Sequence, residues 1–111
     1  MKKLVVLWKS DNLIDIHEMI TLYTINAKKQ KWWDEVEVII WGASQQVVVS
    51  NEEVKRKVAL MVKLGIPVYA CKMCADSLGI EKDLLDLGVN VMYTGKLLTD
   101  FLQSDVKVIT L

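Results

Sequence analysis

The stretch "LGIPVYACKMCADSLGI", residues 64–80, holds the parts of one α/β unit in succession. Gly65 follows a leucine, where a helix ends in a left-handed cap. Residues 66–70 are then a continuous apolar run of the kind that forms a strand buried on both faces. The two cysteines of the chain, Cys71 and Cys74, stand where that strand gives way to a short helix, and Gly79 ends it.

The same alternation extends in both directions. Apolar, β-branched runs recur at 3–8, 35–41, 89–93 and 106–111. Between them lie amphipathic segments. Residues 14–31 place Ile16, Met19, Ile20, Tyr23 and Ala27 at helical spacing, and residues 51–65 do so with Val54, Val58, Met61 and Val62. Residues 81–88 and 95–103 supply two further short helices. Ser50 with Glu53 has the form of a capping box, Asn12 with Asp15 a weaker one, and Thr94 is placed to cap the last helix. The β-α-β-α-β-α-β-α-β order predicts one α/β domain over residues 1–111, a five-stranded, mainly parallel sheet in a three-layer α/β/α sandwich.

Composition narrows the partners. Fourteen basic residues balance fourteen acidic ones, so neither nucleic acid nor an anionic membrane is expected as an electrostatic partner. The N-terminal apolar run stops at Lys9, too short for a signal-peptide core of about 7–15 residues. No run approaches the roughly 18 apolar residues of a membrane helix. A cytoplasmic location is expected, where thiols stay reduced and paired cysteines point to catalysis or metal before a structural disulfide.

In an open parallel sheet, ligands bind beyond the C-terminal ends of the strands. Those ends carry Ser10 and Asp11, Gly42 after Trp41, Cys71 and Lys72, and Tyr93 and Thr94. They form the candidate rim. Cys71, facing the unpaired N–H groups of a helix start, is the candidate thiolate nucleophile, and Lys72 can add to the effect if its ammonium folds back. Cys74 lies within disulfide range of Cys71, or else points into the helix–sheet interface. Either cysteine can equally be a small packed hydrophobe.

Other chemistries fit less well. Two cysteines and the single histidine, His17, fall short of the four ligands of structural zinc, so no metal is expected. A thioredoxin-type order is absent, because the only proline, Pro67, precedes the cysteines. No Gly-rich phosphate-binding motif occurs, so no nucleotide cofactor is implied. Trp8 and Trp41 end neighbouring strands, where they pack on the sheet or wall a pocket. Trp32 and Trp33, at the polar end of the first helix, suit a subunit interface.

With these segments in place the chain resembles the DsrE/DsrF-like sulfur-relay proteins. The resemblance spans essentially the whole chain, through "VEVIIWGAS", "LGVNVMYTG" and above all "LGIPVYACKMCADSLGI", where Gly79 follows Cys71 by eight residues as in that family. It implies a homotrimer or homohexamer in which Cys71 accepts a persulfide sulfur and relays it from a donor protein to an acceptor protein, with no cofactor. Cys74 has no counterpart in several members, and Leu78 stands where a basic residue is often found. On this resemblance the chain is a sulfur carrier or sulfurtransferase. The alternative is a non-catalytic oligomeric module that binds a small ligand or partner, with structural cysteines.

Overall fold

The computed structural model of the protein describes residues 2–111; Met1, the first residue of the expected domain, lies outside the described residues. Five strands form one all-parallel sheet: β1 (Lys3–Trp8), β2 (Glu35–Ile40), β3 (Val68–Cys71), β4 (Asn90–Met92) and β5 (Lys107–Thr110). Their spatial order is β4-β3-β2-β1-β5. The strands fall where the apolar runs predict them, and β3 extends one residue further, so that Cys71 is its last residue.

Each parallel step needs a crossover. The first runs through α1 (Leu13–Asp15), a π-helical turn (Ile16–Ile20) and α2 (Thr21–Lys29). The second uses α3 (Ala43–Ser50) and α4 (Glu52–Lys63), and the third α5 (Lys72–Leu78) and α6 (Glu81–Asp86). These three steps move one place at a time in the same direction. The fourth, through α7 (Thr94–Leu102), returns past β3, β2 and β1 to the far edge. Right-handed crossovers therefore put α1–α6 on one face and α7 alone on the other.

Burial agrees with this division. Leu4, Val6, Trp8, Val36, Val38, Ile40, Val68 and Ala70 share one core with Ile16, Ile20, Val48, Val54, Val58, Met61, Ala75 and Leu84 from the helices. The alternate strand residues Val5, Ile39 and Cys71 are also buried but lie outside that core, toward α7.

Several local expectations are corrected. Residues 43–50, to which the sequence pattern assigns no element, form α3. The cap of α4 is Asn51 rather than Ser50: its side chain accepts the Val54 N–H at 3.0 Å. Thr94 is the first residue of α7 and not its cap, which is Tyr93. The capping by Asn12 holds, its Oδ1 accepting the Asp15 N–H at 3.1 Å. Within the first helix Ile16, Ile20 and Ala27 are buried as the spacing predicts, but Met19 and Tyr23 are exposed. The π turn rotates the face, and Thr21 and Thr24 take the buried positions. Their hydroxyls donate to Ile16 O at 2.8 Å and Ile20 O at 2.6 Å, which satisfies them inside the core.

Candidate functional site at the end of β3

The connections following β3 and β4 depart to opposite faces of the sheet, through α5 and α7. Strand ends at which the connections diverge in this way are where parallel α/β sheets hold ligands. Cys71 pairs in register with Met92 there, and Thr94 follows on the next turn.

Cys71 is the residue preceding α5, in extended conformation, and 6 % exposed. Burial pushes its thiol up, but several donors outweigh this and the net shift is downward. They are the Cys74 N–H, the Thr94 hydroxyl, the Cys74 thiol and the Met73 N–H. Thr94 Oγ1 is buried and has no hydrogen-bond partner of its own, so the Cys71 sulfur is the group it can serve.

Cys74 is shifted the other way. Burial raises it first, the hydrogen bond with Cys71 raises it further, and the Gly42 N–H and the Trp41 indole offset this only in part. The two shifts run in opposite directions, so of the pair Cys71 is the thiol that ionises first. Cys74 also opens on an apolar cleft of about 460 Å³ lined by Gly42, Ala43, Met73, Ser77 and Leu78 among others. Gly42 reaches that position at φ 73°, ψ −136°, which is open to glycine and strained for any other residue.

The rim residues divide. Gly42, Cys71, Cys74 and Thr94 come together. Tyr93 is at the same end, 64 % exposed. Ser10 and Asp11 are not part of the cluster: Ser10 Oγ accepts the Asn12 N–H at 3.1 Å, and Asp11 lines a separate shallow cleft with Gln46, Val47 and Ser50. Lys72 does not fold back on Cys71. Its ammonium is held by Glu81 at 3.1 Å and Asp76 at 3.3 Å, and those carboxylates raise its pKa. Trp8 is a core residue, whereas Trp41 reaches the Cys74 sulfur. His17 contacts Lys57 at 2.8 Å and Glu53 at 3.5 Å, away from the cysteines. Among the described residues no three His, Cys, Asp or Glu side chains come together as a metal site.

A conserved protein of unknown function, BT1422 from Bacteroides thetaiotaomicron, has a solved structure that matches this chain with a TM-score of 0.96. The two are 32% identical over 99% of this chain and 95% of that one. The chain belongs to that protein's family. Two more distant structures share the fold: the ychN protein from E. coli, at 17% identity and a TM-score of 0.74, and a protein of unknown function, MTH1491 from Methanobacterium thermoautotrophicum, at 18% and 0.76. Each of these two matches covers both chains in full. No protein-family model and no curated protein matches the chain.

Gln45 is the site residue that the sequence pattern does not disclose. It is fully buried, and its Nε2 donates to Ile40 O at 3.1 Å and Cys71 O at 3.2 Å. Ser44 is buried beside it and donates to Trp8 O at 2.6 Å. Together they tie α3 to the ends of three strands. Polar residues following a strand-end glycine are the only signal of this in the sequence.

Proposed function

We propose that this chain is a sulfur carrier or sulfurtransferase of the DsrE/DsrF-like type, acting in the cytoplasm, where reducing conditions keep its thiols free. Cys71 attacks a donor persulfide as thiolate, holds the outer sulfur, and passes it to an acceptor protein. What carries this reading is the asymmetry of two adjacent thiols at a strand end: Cys71, at the start of α5 and beside the unpartnered Thr94 hydroxyl, is shifted down, while Cys74 is shifted up. A core cysteine has no use for that asymmetry. The Met73 and Cys74 N–H groups and the Thr94 hydroxyl remain in place for the anion of a Cys71 persulfide.

Assembly into a homotrimer or homohexamer belongs to the same reading. Met19, Leu22, Tyr23 and Trp32 line an exposed apolar cleft of about 340 Å³ on the first helix, with Trp32 55 % exposed. Apolar surface gathered in one place suits a subunit contact.

One observation favours the rival, a binding module with packed cysteines: Cys71 has little exposed surface. Incubation with a persulfide-loaded cysteine desulfurase, followed by peptide mass spectrometry, separates the two. Gain of one sulfur on Cys71, abolished in Cys71→Ser, supports the carrier. Two thiols inert to the donor and to iodoacetamide support the module.

A further inference from the structure

The carrier needs one cysteine, and this site has two in contact. Cys71 and Cys74 are three residues apart across the first turn of α5, which sets their Cα atoms about 5 Å apart, within disulfide range. Both are free, and each thiol is near enough to shift the ionisation of the other. Their surroundings differ: Cys71 is buried, while Cys74 lines the 460 Å³ cleft. We propose that Cys71 and Cys74 form a dithiol–disulfide couple that releases the carried sulfur as sulfide, a role that rests on Cys71 carrying a persulfide.

The step balances within the site. The Cys74 sulfur attacks the Cys71 Sγ of the persulfide. A Cys71–Cys74 bond forms, the bond to the outer sulfur breaks, and its electron pair leaves with that sulfur as hydrosulfide. The proton given up by Cys74 completes hydrogen sulfide. The outer sulfur gains two electrons, and the two cysteine sulfurs together lose them.

An external dithiol returns the site to its starting state. Its first thiolate attacks the Cys74 sulfur, which is the one that opens on the cleft, and Cys71 leaves. The Met73 and Cys74 N–H groups and the Thr94 hydroxyl stabilise that leaving thiolate, and a thiol of low pKa leaves faster. The second thiol of the reductant then displaces Cys74 and ends as the reductant's own disulfide. The protein therefore stands between a reaction that supplies sulfane sulfur and one that consumes sulfide, with a dithiol as electron source.

The test uses the full chain, reduced, loaded with glutathione persulfide and freed of excess donor by gel filtration. Intact mass and a sulfide-trapping dye are then followed with time. Wild type is expected to gain one sulfur, then to lose it with two hydrogens while an equal amount of sulfide appears, at a rate independent of protein concentration. Cys74→Ser is expected to load and to lose its sulfur about tenfold or more slowly, for want of the intramolecular thiol. Cys74→Ala takes its place if circular dichroism shows that Cys74→Ser is unfolded. Wild type that loads but holds its sulfur as long as the Cys74 variant overturns the dithiol step and leaves the carrier standing. Loading of neither overturns both. Failure of the unloaded protein to close a Cys71–Cys74 disulfide in any dithiothreitol redox buffer also overturns the couple.

Discussion

The side-chain amide of Gln45 donates to the backbone carbonyl of Cys71 at 3.2 Å, across 26 residues of sequence. The same nitrogen reaches Ile40 O at 3.1 Å. One buried amide thus closes the ends of β2 and β3 and fixes the peptide from which the Cys71 thiol projects. Gln45→Leu keeps the volume and leaves two buried carbonyls without that donor. It is expected to destabilise the protein by about 1–3 kcal/mol in urea denaturation. Loss of less than half a kilocalorie would show that the carbonyls find other donors.

Which parts of this arrangement the sequence discloses follows from where each part's stability comes from. Strand positions and the rim location of Cys71 are legible, because buried strands must be continuous apolar runs and their C-terminal ends form the rim. Helix α3 is not. Its segment "ASQQVVVS" has three consecutive β-branched residues and no helical stripe, and it is held by the Ser44 and Gln45 hydrogen bonds to distant strand ends. Local propensity does not record such contacts. The rotated face of the first helix is hidden for a related reason: Thr21 and Thr24 are polar in the sequence but satisfied by carbonyls behind them. Lys72 misleads in the opposite sense, since Glu81, nine residues on, takes its ammonium away from the thiol.

Gly65 and Gly88 offer a matched comparison. Both sit at left-handed φ, 86° and 87°. A Cβ on Gly65 would meet nothing within 4 Å, whereas one on Gly88 would lie 2.8 Å from Val62 Cγ1. Gly65→Ala is expected to cost about 1–2 kcal/mol from backbone strain alone. Gly88→Ala is expected to cost about 1–3 kcal/mol more, from overpacking. In the double variant Gly88→Ala with Val62→Ala the excess should fall, read as a coupling in a thermodynamic cycle. An additive cycle would refute the contact.

Tyr69 gives the protein an alkaline edge. Burial first, and then its hydrogen bond to Glu37 and that carboxylate's charge, push its hydroxyl up from 10.0 to about 12. Glu37 is itself buried and paired with Lys3, whose ammonium lies over the Phe101 ring. For a group whose folded pKa is raised, the stabilisation is complete below the unfolded value and is lost as pH climbs through the folded one. Stability is therefore expected to fall between about pH 10 and pH 12. Tyr69→Phe should flatten that window relative to wild type, and denaturation midpoints collected across it provide the comparison. Parallel curves for the two proteins would remove Tyr69 from the explanation.

Thr94 separates reactivity from stability. Its hydroxyl is buried without a hydrogen-bond partner and lies where it can donate to the sulfur of a Cys71 thiolate, which lowers that thiol's pKa. Thr94→Val keeps the shape and removes only the donor. Deleting a buried hydroxyl that has no other partner is close to neutral for folding, so stability is expected to stay within about 0.5 kcal/mol of wild type. The thiolate meanwhile loses a charge-assisted hydrogen bond. The pH midpoint for iodoacetamide labelling of Cys71 should move up, and labelling at neutral pH should slow by about three- to tenfold. Thr94→Ser keeps a hydroxyl and should restore most of the rate, which a purely structural role for the methyl group would not. Unchanged labelling of Cys71 in a folded Thr94→Val protein would mean that the backbone N–H groups of Met73 and Cys74 suffice to hold the thiolate.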